Sequence, residues 1–126
     1  QMRLWPSCIY FYIIENMKLN SAVEKLGALA QESRLSVFRL LVQRGPEGLC
    51  AGDIATRLKI PAPTLSFHLK ELSRAGLLKA RPDGRHVYYS PDFKVMKDLL
   101  GYLTEHCCEG MPCEVACAPP QQETAA

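Results

Sequence analysis

The sequence predicts a mainly α-helical domain carrying one β-hairpin wing, a winged helix-turn-helix, and three observations predict it. A short amphipathic segment, a tight turn and a longer amphipathic segment follow one another between Ala51 and Ala75. Two runs of strand composition then flank Pro82-Asp83-Gly84. Apolar residues recur at helical spacing both before and after this unit.

A chain of 126 residues that is 48% hydrophobic suits one domain with a real core and leaves little room for a second. Its 15 basic and 13 acidic side chains give a net charge of +2, compatible with binding nucleic acid but far from demanding it. The apolar stretch from Leu4 to Ile14 contains Pro6 and is about half the roughly 20 residues that span a bilayer. No small-residue cleavage site follows it, so it reads as neither anchor nor signal peptide, and no membrane role is expected. Met17-Lys18-Leu19-Asn20-Ser21 has the character of a helix entry. Residues 1–16 are therefore expected to be an upstream extension, non-native or flexible, ahead of a natural start at Met17; an arm packed on a partner subunit is the alternative. The domain is expected over 17–108, with a cysteine-containing tail over 109–126.

From Ser21, Val23, Leu26, Leu29 and Ala30, then Leu35, Phe38, Leu40, Leu41 and Val42, describe two helices broken at Gln31 to Ser33, the second ended by Gly45-Pro46-Glu47-Gly48. Ile54, Ala55 and Leu58 give Ala51 to Leu58 one apolar face, and Lys59 to Pro63 supplies a turn. The longer helix runs from about Pro63 to Ala75 and is closed by Gly76. Leu65, Leu69 and Leu72 share its inner face, which leaves Thr64, Phe67, His68, Lys70 and Glu71 pointing mostly outward. Leu77 to Arg81 and Arg85 to Ser90 form the hairpin, whose Asp83-Gly84 step favours a positive-φ turn. Ser90-Pro91-Asp92 reads as a helix start with Ser90 as N-cap. The last helix carries Phe93, Met96, Leu99, Leu100 and Leu103 on one face and Lys94, Lys97, Asp98 and Glu105 on the solvent side.

Recognition helices present polar side chains to base edges while cations and hydroxyls hold phosphates. Thr64, Ser66, His68 and Lys70 suit that work on the longer helix, and Arg81, Arg85 and His86 cluster at the wing tip. Phe67 reads either as a reader of thymine methyl groups or as a packed aromatic. The whole constellation marks double-stranded DNA as the expected partner. The final helix has an apolar face that so small a domain can hardly cover, which points to a homodimer with recognition helices one DNA turn, roughly 34 Å, apart.

Leu65-Ser66-Phe67-His68-Leu69-Lys70-Glu71-Leu72, Ala75-Gly76-Leu77-Leu78 and the wing Asp83-Gly84-Arg85-His86-Val87-Tyr88-Tyr89 resemble the ArsR family of metalloregulatory repressors. The likeness covers about Ser21 to Cys108. It implies a homodimer formed through the first and last helices, an inverted-repeat operator near the chain's own promoter, and repression relieved by an inducer. The family's arsenic site at the start of the short helix, Cys-x-Cys-Asp, is incomplete here, since Gly52 stands at the second cysteine position of Cys50-Ala51-Gly52-Asp53. Its zinc site on the last helix needs paired Asp and His residues, of which only Asp92, Glu105 and His106 are near.

Of six cysteines, four fall between Cys107 and Cys117, and the rest of the chain has apolar residues enough to fold without disulfides. They read as reduced thiols in a cytoplasmic protein. Three thiolates converging on one soft ion suit arsenite or antimonite, for which carboxylate and imidazole would not compete. Gly110 and Pro112 supply a bend that returns Cys113 towards Cys107 and Cys108, and these three form the expected metal site, with Cys117 spare or a fourth ligand. The rival readings use all four for zinc, cadmium or lead, or use the thiols as an oxidation sensor. Cys8 and Cys50 read as structural. No catalytic base accompanies a buried cysteine and no glycine-rich phosphate loop exists, so an enzyme is not expected.

Overall fold

The fold is that of a computed structural model, which describes residues 17–107. The expectations for residues 1–16 and for the tail after Cys107 lie outside the described residues. Within them the order is α1 (Leu19–Leu29), α2 (Glu32–Arg44), β1 (Leu49–Cys50), α3 (Ala51–Leu58), α4 (Ala62–Arg74), β2 (Leu78–Asp83), β3 (His86–Pro91) and α5 (Phe93–Leu103). The winged helix-turn-helix is therefore as expected, with a few local differences that have physical reasons.

The first break falls at Ala30-Gln31 rather than through Ser33, because Gln31 is a working N-cap: its side-chain carbonyl accepts the Arg34 backbone N–H at 2.9 Å. The longer helix starts at Ala62, with Pro63 in its first turn, where a missing N–H costs nothing. Gly76 follows the C-cap at φ +82, as a helix-closing glycine should. Ser90 is not the cap of the last helix. Pro91 ends β3 opposite Leu78, and the Asp92 carboxylate takes the capping role, accepting the Val95 N–H at 3.3 Å.

The core lies where α2, α3 and α4 meet the base of the hairpin. Val37, Phe38, Leu41, Leu49, Ile54, Leu65, Leu69, Leu72, Ala75, Leu77 and Leu78 form one buried cluster. Each fully buried aliphatic side chain in it contributes about 1.5 to 3 kcal/mol of transfer free energy.

The wing is part of a three-stranded antiparallel sheet ordered β1-β3-β2. Asp83 pairs with His86, so Gly84-Arg85 is a two-residue turn. Gly84 sits at φ +66 and no other turn residue is positive, the pattern of a type II′ turn with glycine first. Strand β1 was not anticipated, since two residues carry no periodic signal. It pairs Leu49 with Tyr89 and Cys50 with Tyr88, tying the wing to the entry of α3.

Asp98 also departs from expectation. It is buried at 7% exposure instead of facing solvent. Lys94 approaches its Oδ2 at 3.4 Å, while Oδ1 has no hydrogen-bond partner among the described residues. Leu99 beside it is buried, whereas Leu100 and Leu103 are 54% and 53% exposed, so the helix splits its apolar residues between an inner and an outer stripe. No helix among the described residues is long and apolar enough to cross a membrane.

Two glycines offer a test of how the sheet is held. A Cβ on Gly48, at φ +77, would lie 2.5 Å from the Tyr89 carbonyl oxygen, whereas one on Gly84 would meet open space. Gly84→Ala should lower the unfolding free energy by about 1 to 3 kcal/mol from backbone strain alone. Gly48→Ala should cost at least about 1 kcal/mol more, because it must also push β3 away. Urea denaturation of both variants checks this, and equal losses would contradict the close approach.

Candidate nucleic-acid interface and thiol segment

The inner stripe of α4 decides what its outer face can do. Leu65, His68, Leu69 and Leu72 are spaced i, i+3, i+4, i+7 and all are buried. Opposite them run Pro63, Phe67, Lys70 and Arg74, with Thr64 and Ser66 on the flanks, and every one of these is exposed. Phe67 is 54% exposed, which settles that it is not a packed core aromatic, and its ring meets the His68 ring edge-on with centroids 5.9 Å apart.

His68, expected to point outward, is instead buried at 7% exposure. The reason is in its register: it stands three residues after Leu65 and four before Leu72, on the stripe that faces the core. Arg34 meets it from α2, with Nη1 3.5 Å from the imidazole Nδ1. A guanidinium only donates, so Nδ1 is the acceptor and the ring is neutral, its proton on Nε2. Burial, and then the Arg34 charge, hold the His68 pKa below the ordinary histidine value of 6.5. The same arginine donates from Nε to the Ala28 carbonyl at 2.7 Å. One side chain thus joins the end of α1, the start of α2 and the middle of α4.

On the wing, Arg81, Arg85 and His86 are all exposed, with Arg85 and His86 at the tip and Arg81 in mid-strand. Arg81 is already engaged by the fold. Its guanidinium lies 5.0 Å from the Tyr88 ring centroid, across the strand pair, and donates to the Glu47 carbonyl at 3.2 Å. Its 3.9 Å approach to Asp83 joins two exposed groups and adds little. Arg85 stands in the turn itself, and His86 tilts against Tyr88 with centroids 6.4 Å apart. Sequence reasoning missed Arg74, which extends the outer stripe of α4 one turn beyond Lys70 and forms a 3.2 Å ion pair with Glu71. Its spacing from Lys70, i+4, was the available signal.

Of the expected thiol ligands, Cys107 alone is among the described residues. It is half-buried, and its N–H donates to the Thr104 carbonyl at 3.0 Å in the turn that follows α5. His106, just before it, is left-handed at φ +57. Cys108, Cys113 and Cys117 lie outside the described residues, as does Cys8. Among the described residues no three His, Cys, Asp or Glu side chains converge as metal ligands, so a three-thiol site needs sulfur from outside them. Cys50 is half-buried at the start of α3, opposite Tyr88 in the sheet.

Two exposed apolar stripes remain. Leu19, Val23 and Leu26 form one along α1, and Leu100 and Leu103 form the other on α5. Beside the second runs an apolar groove of about 470 Å³ between α2 and α5, with Phe38, Met96 and Leu99 in its lining and Arg39 among its polar groups.

Comparison with known proteins gives a consistent result. Residues 29–81 match a family model described as a helix-turn-helix domain. An uncharacterised helix-turn-helix transcriptional regulator of Methanocaldococcus jannaschii is 36% identical over 89 residues, covering 70% of this chain and 97% of that protein. The arsenical resistance operon repressor of Bacillus subtilis is 33% identical over 85 residues, covering 68% of this chain and 77% of the repressor. Among solved structures, a homodimeric winged helix-turn-helix DNA-binding domain from Mycobacterium bovis, described as a possible ArsR-family regulator, matches with a TM-score of 0.56. It is 28% identical and covers 75% of this chain and 88% of that one.

The buried neutral histidine makes a pH prediction with a definite sign. Because the folded pKa of His68 is lowered, the unfolded chain binds the extra proton more readily. The stability it contributes is complete above the unfolded value of 6.5 and is lost as pH falls through that value towards the folded one. Urea midpoints between pH 8 and pH 5 should therefore decline on the acid side in the wild type. His68→Gln, lower at neutral pH, should show a flatter profile; an unchanged slope would remove His68 as the cause.

Proposed function

The chain belongs to the ArsR family of helix-turn-helix transcriptional regulators, and we propose that it is a repressor whose operator is released when trivalent arsenic, as arsenite or antimonite, binds Cys107, Cys108 and Cys113. The observation that carries the reading is the position of the thiols. Cys107 stands in the turn that closes α5, and three more cysteines follow within ten residues. Soft thiolates grouped in this way select soft ions over the hard cations of a cell. The similarity to an arsenical resistance operon repressor supports the same choice.

On the DNA side, Thr64, Ser66, Phe67 and Lys70 of α4 face the major groove of a double-stranded operator, and Arg81, Arg85 and His86 of the wing contact its backbone or minor groove. His68 leaves this set and becomes the residue that seats the helix. The active form is a homodimer on an inverted repeat, supported by the exposed stripes Leu19-Val23-Leu26 and Leu100-Leu103 and by the homodimeric Mycobacterium bovis domain. The repressor works in the cytoplasm, where its thiols stay reduced.

Ion binding acts through α5. Ligation of residues just after Leu103 displaces the end of a dimer helix and changes the separation of the two recognition helices. Coupling between two such sites is typically about 1 to 3 kcal/mol, roughly 5- to 150-fold in affinity, enough to release an operator.

The test is a release titration on the duplex upstream of the coding sequence, with arsenite, antimonite, cadmium, zinc and peroxide. Arsenite should weaken wild-type binding by roughly 5- to 150-fold, and Cys107→Ser and Cys108→Ser should stay bound. Release of either variant at the wild-type arsenite concentration would sink the mechanism. Loss of response in Cys117→Ser, with cadmium or zinc as the stronger inducer, would favour four-thiolate binding; response to peroxide alone would favour an oxidation sensor. Separately, Leu100→Glu should sediment as a monomer at micromolar concentration and lose operator affinity, whereas a wild type that is itself monomeric would remove the dimer.

A further inference from the structure

We propose that Phe67 is a specificity-determining residue that reads the C5-methyl group of a thymine in each operator half-site; this rests on the DNA-binding reading above. The argument begins with what the ring does not do. It takes no part in the buried core cluster and lies 54% open, an arrangement that leaves a large apolar surface in water. Its position on the helix says where that surface is presented. Leu65, His68, Leu69 and Leu72 turn inward, so residue 67 falls close to the antipode of the buried stripe, at the crest of the helix.

The crest is otherwise suited to a duplex. Lys70 and Arg74 continue it towards the C-terminal end with positive charge, and Thr64 and Ser66 flank the ring with hydroxyls. Phe67 is the one large apolar side chain among these exposed positions of α4, and the major-groove floor has one apolar feature, the thymine methyl. The two match in chemistry and in position on the helix.

The ring also has an aromatic neighbour. It meets His68 edge-on, centroids 5.9 Å apart at 63°, beside a side chain that Arg34 contacts from α2. A pre-set aromatic loses little side-chain freedom on binding, which is what a specificity contact needs.

The experiment selects a binding sequence from a randomised duplex library with the wild-type protein, then replaces each thymine by deoxyuridine, which removes the methyl and nothing else. At one thymine per half-site the swap should weaken binding about fourfold, the worth of one buried methyl group. Phe67→Ala should bind thymine and deoxyuridine forms equally at that position. Should that variant bind no DNA, 5-iododeoxyuridine placed there and irradiated should crosslink the wild type through the peptide containing Phe67. Flat responses to every single swap, a Phe67→Ala protein that keeps the preference, or a crosslink to another peptide would each overturn the proposal. A library that yields no enriched sequence would instead overturn the DNA-binding reading, and this inference with it.

Discussion

The structure depends on the seating of α4. Its inner stripe is three leucines and one histidine, and Arg34 meets the histidine there with Nη1 3.5 Å from Nδ1. Without that donor a buried imidazole nitrogen would lack a partner, a cost of about 1 to 3 kcal/mol. The arginine is itself held by the Ala28 carbonyl at the end of α1. The helix that faces outward with Phe67 and Lys70 is therefore positioned by the same side chain that marks the junction of the two N-terminal helices. A shift of α1 relative to α2 thus has a polar route to α4 through Arg34, beside the apolar packing of Ala28 and Leu29 on the same core.

The wing is fixed by a different device. Its free end is a two-residue turn in open space, but its base is clamped on both edges: β1 pairs with Tyr88 and Tyr89, and Arg81 reaches across to the Glu47 carbonyl. Gly48 allows this clamp, since any side chain there would collide with the Tyr89 carbonyl. The cation at the turn, Arg85, consequently sits at the end of a hairpin whose root is paired with the strand that leads into α3. Arg81 serves the hairpin as much as it serves any ligand, because stacking on Tyr88 already uses one face of its guanidinium.

Much of this was legible in the sequence, and the failures have specific causes. Helical periodicity found α2, α3 and α4, and the Asp83-Gly84 step found the hairpin, because these signals are local. His68 was misplaced because polarity was weighed above register; the spacing from Leu65 and Leu72 already put it inside. Asp98 failed for the same reason, a charged residue standing beside Leu99 on the inner side of α5. Ser90 looked like a cap, yet Asp92 is one: pairing of β3 with β2 runs on through Pro91 opposite Leu78 and postpones the helix. Strand β1 could not be read at all, since its existence depends on β3, nearly forty residues away in the chain. For the thiols, sequence spacing remains the stronger guide, with Cys107 the member that the fold positions.

That one position constrains how an ion could act. Adjacent residues on a helix point about 100° apart, so Cys107 and Cys108 cannot both turn towards one ion while α5 simply continues through them. The backbone has already left the helical path before Cys107: α5 ends at Leu103, the Thr104 hydroxyl folds back on the Leu100 carbonyl, and His106 is left-handed. Under the proposed ligation the ion therefore gains by holding the chain after Leu103 off the helix axis, and lengthening α5 would work against it. Leu103, half exposed and only four residues before Cys107, is the residue of the exposed apolar stripe nearest that pull. Leu100 lies one turn further in, so the strain of ligation falls first on the outer end of the apolar stripe and leaves the inner stripe, Leu99, seated in the core. Under the proposed mechanism, a pull confined to that outer end loosens how two copies meet without unfolding either, which is the property a reversible regulator requires.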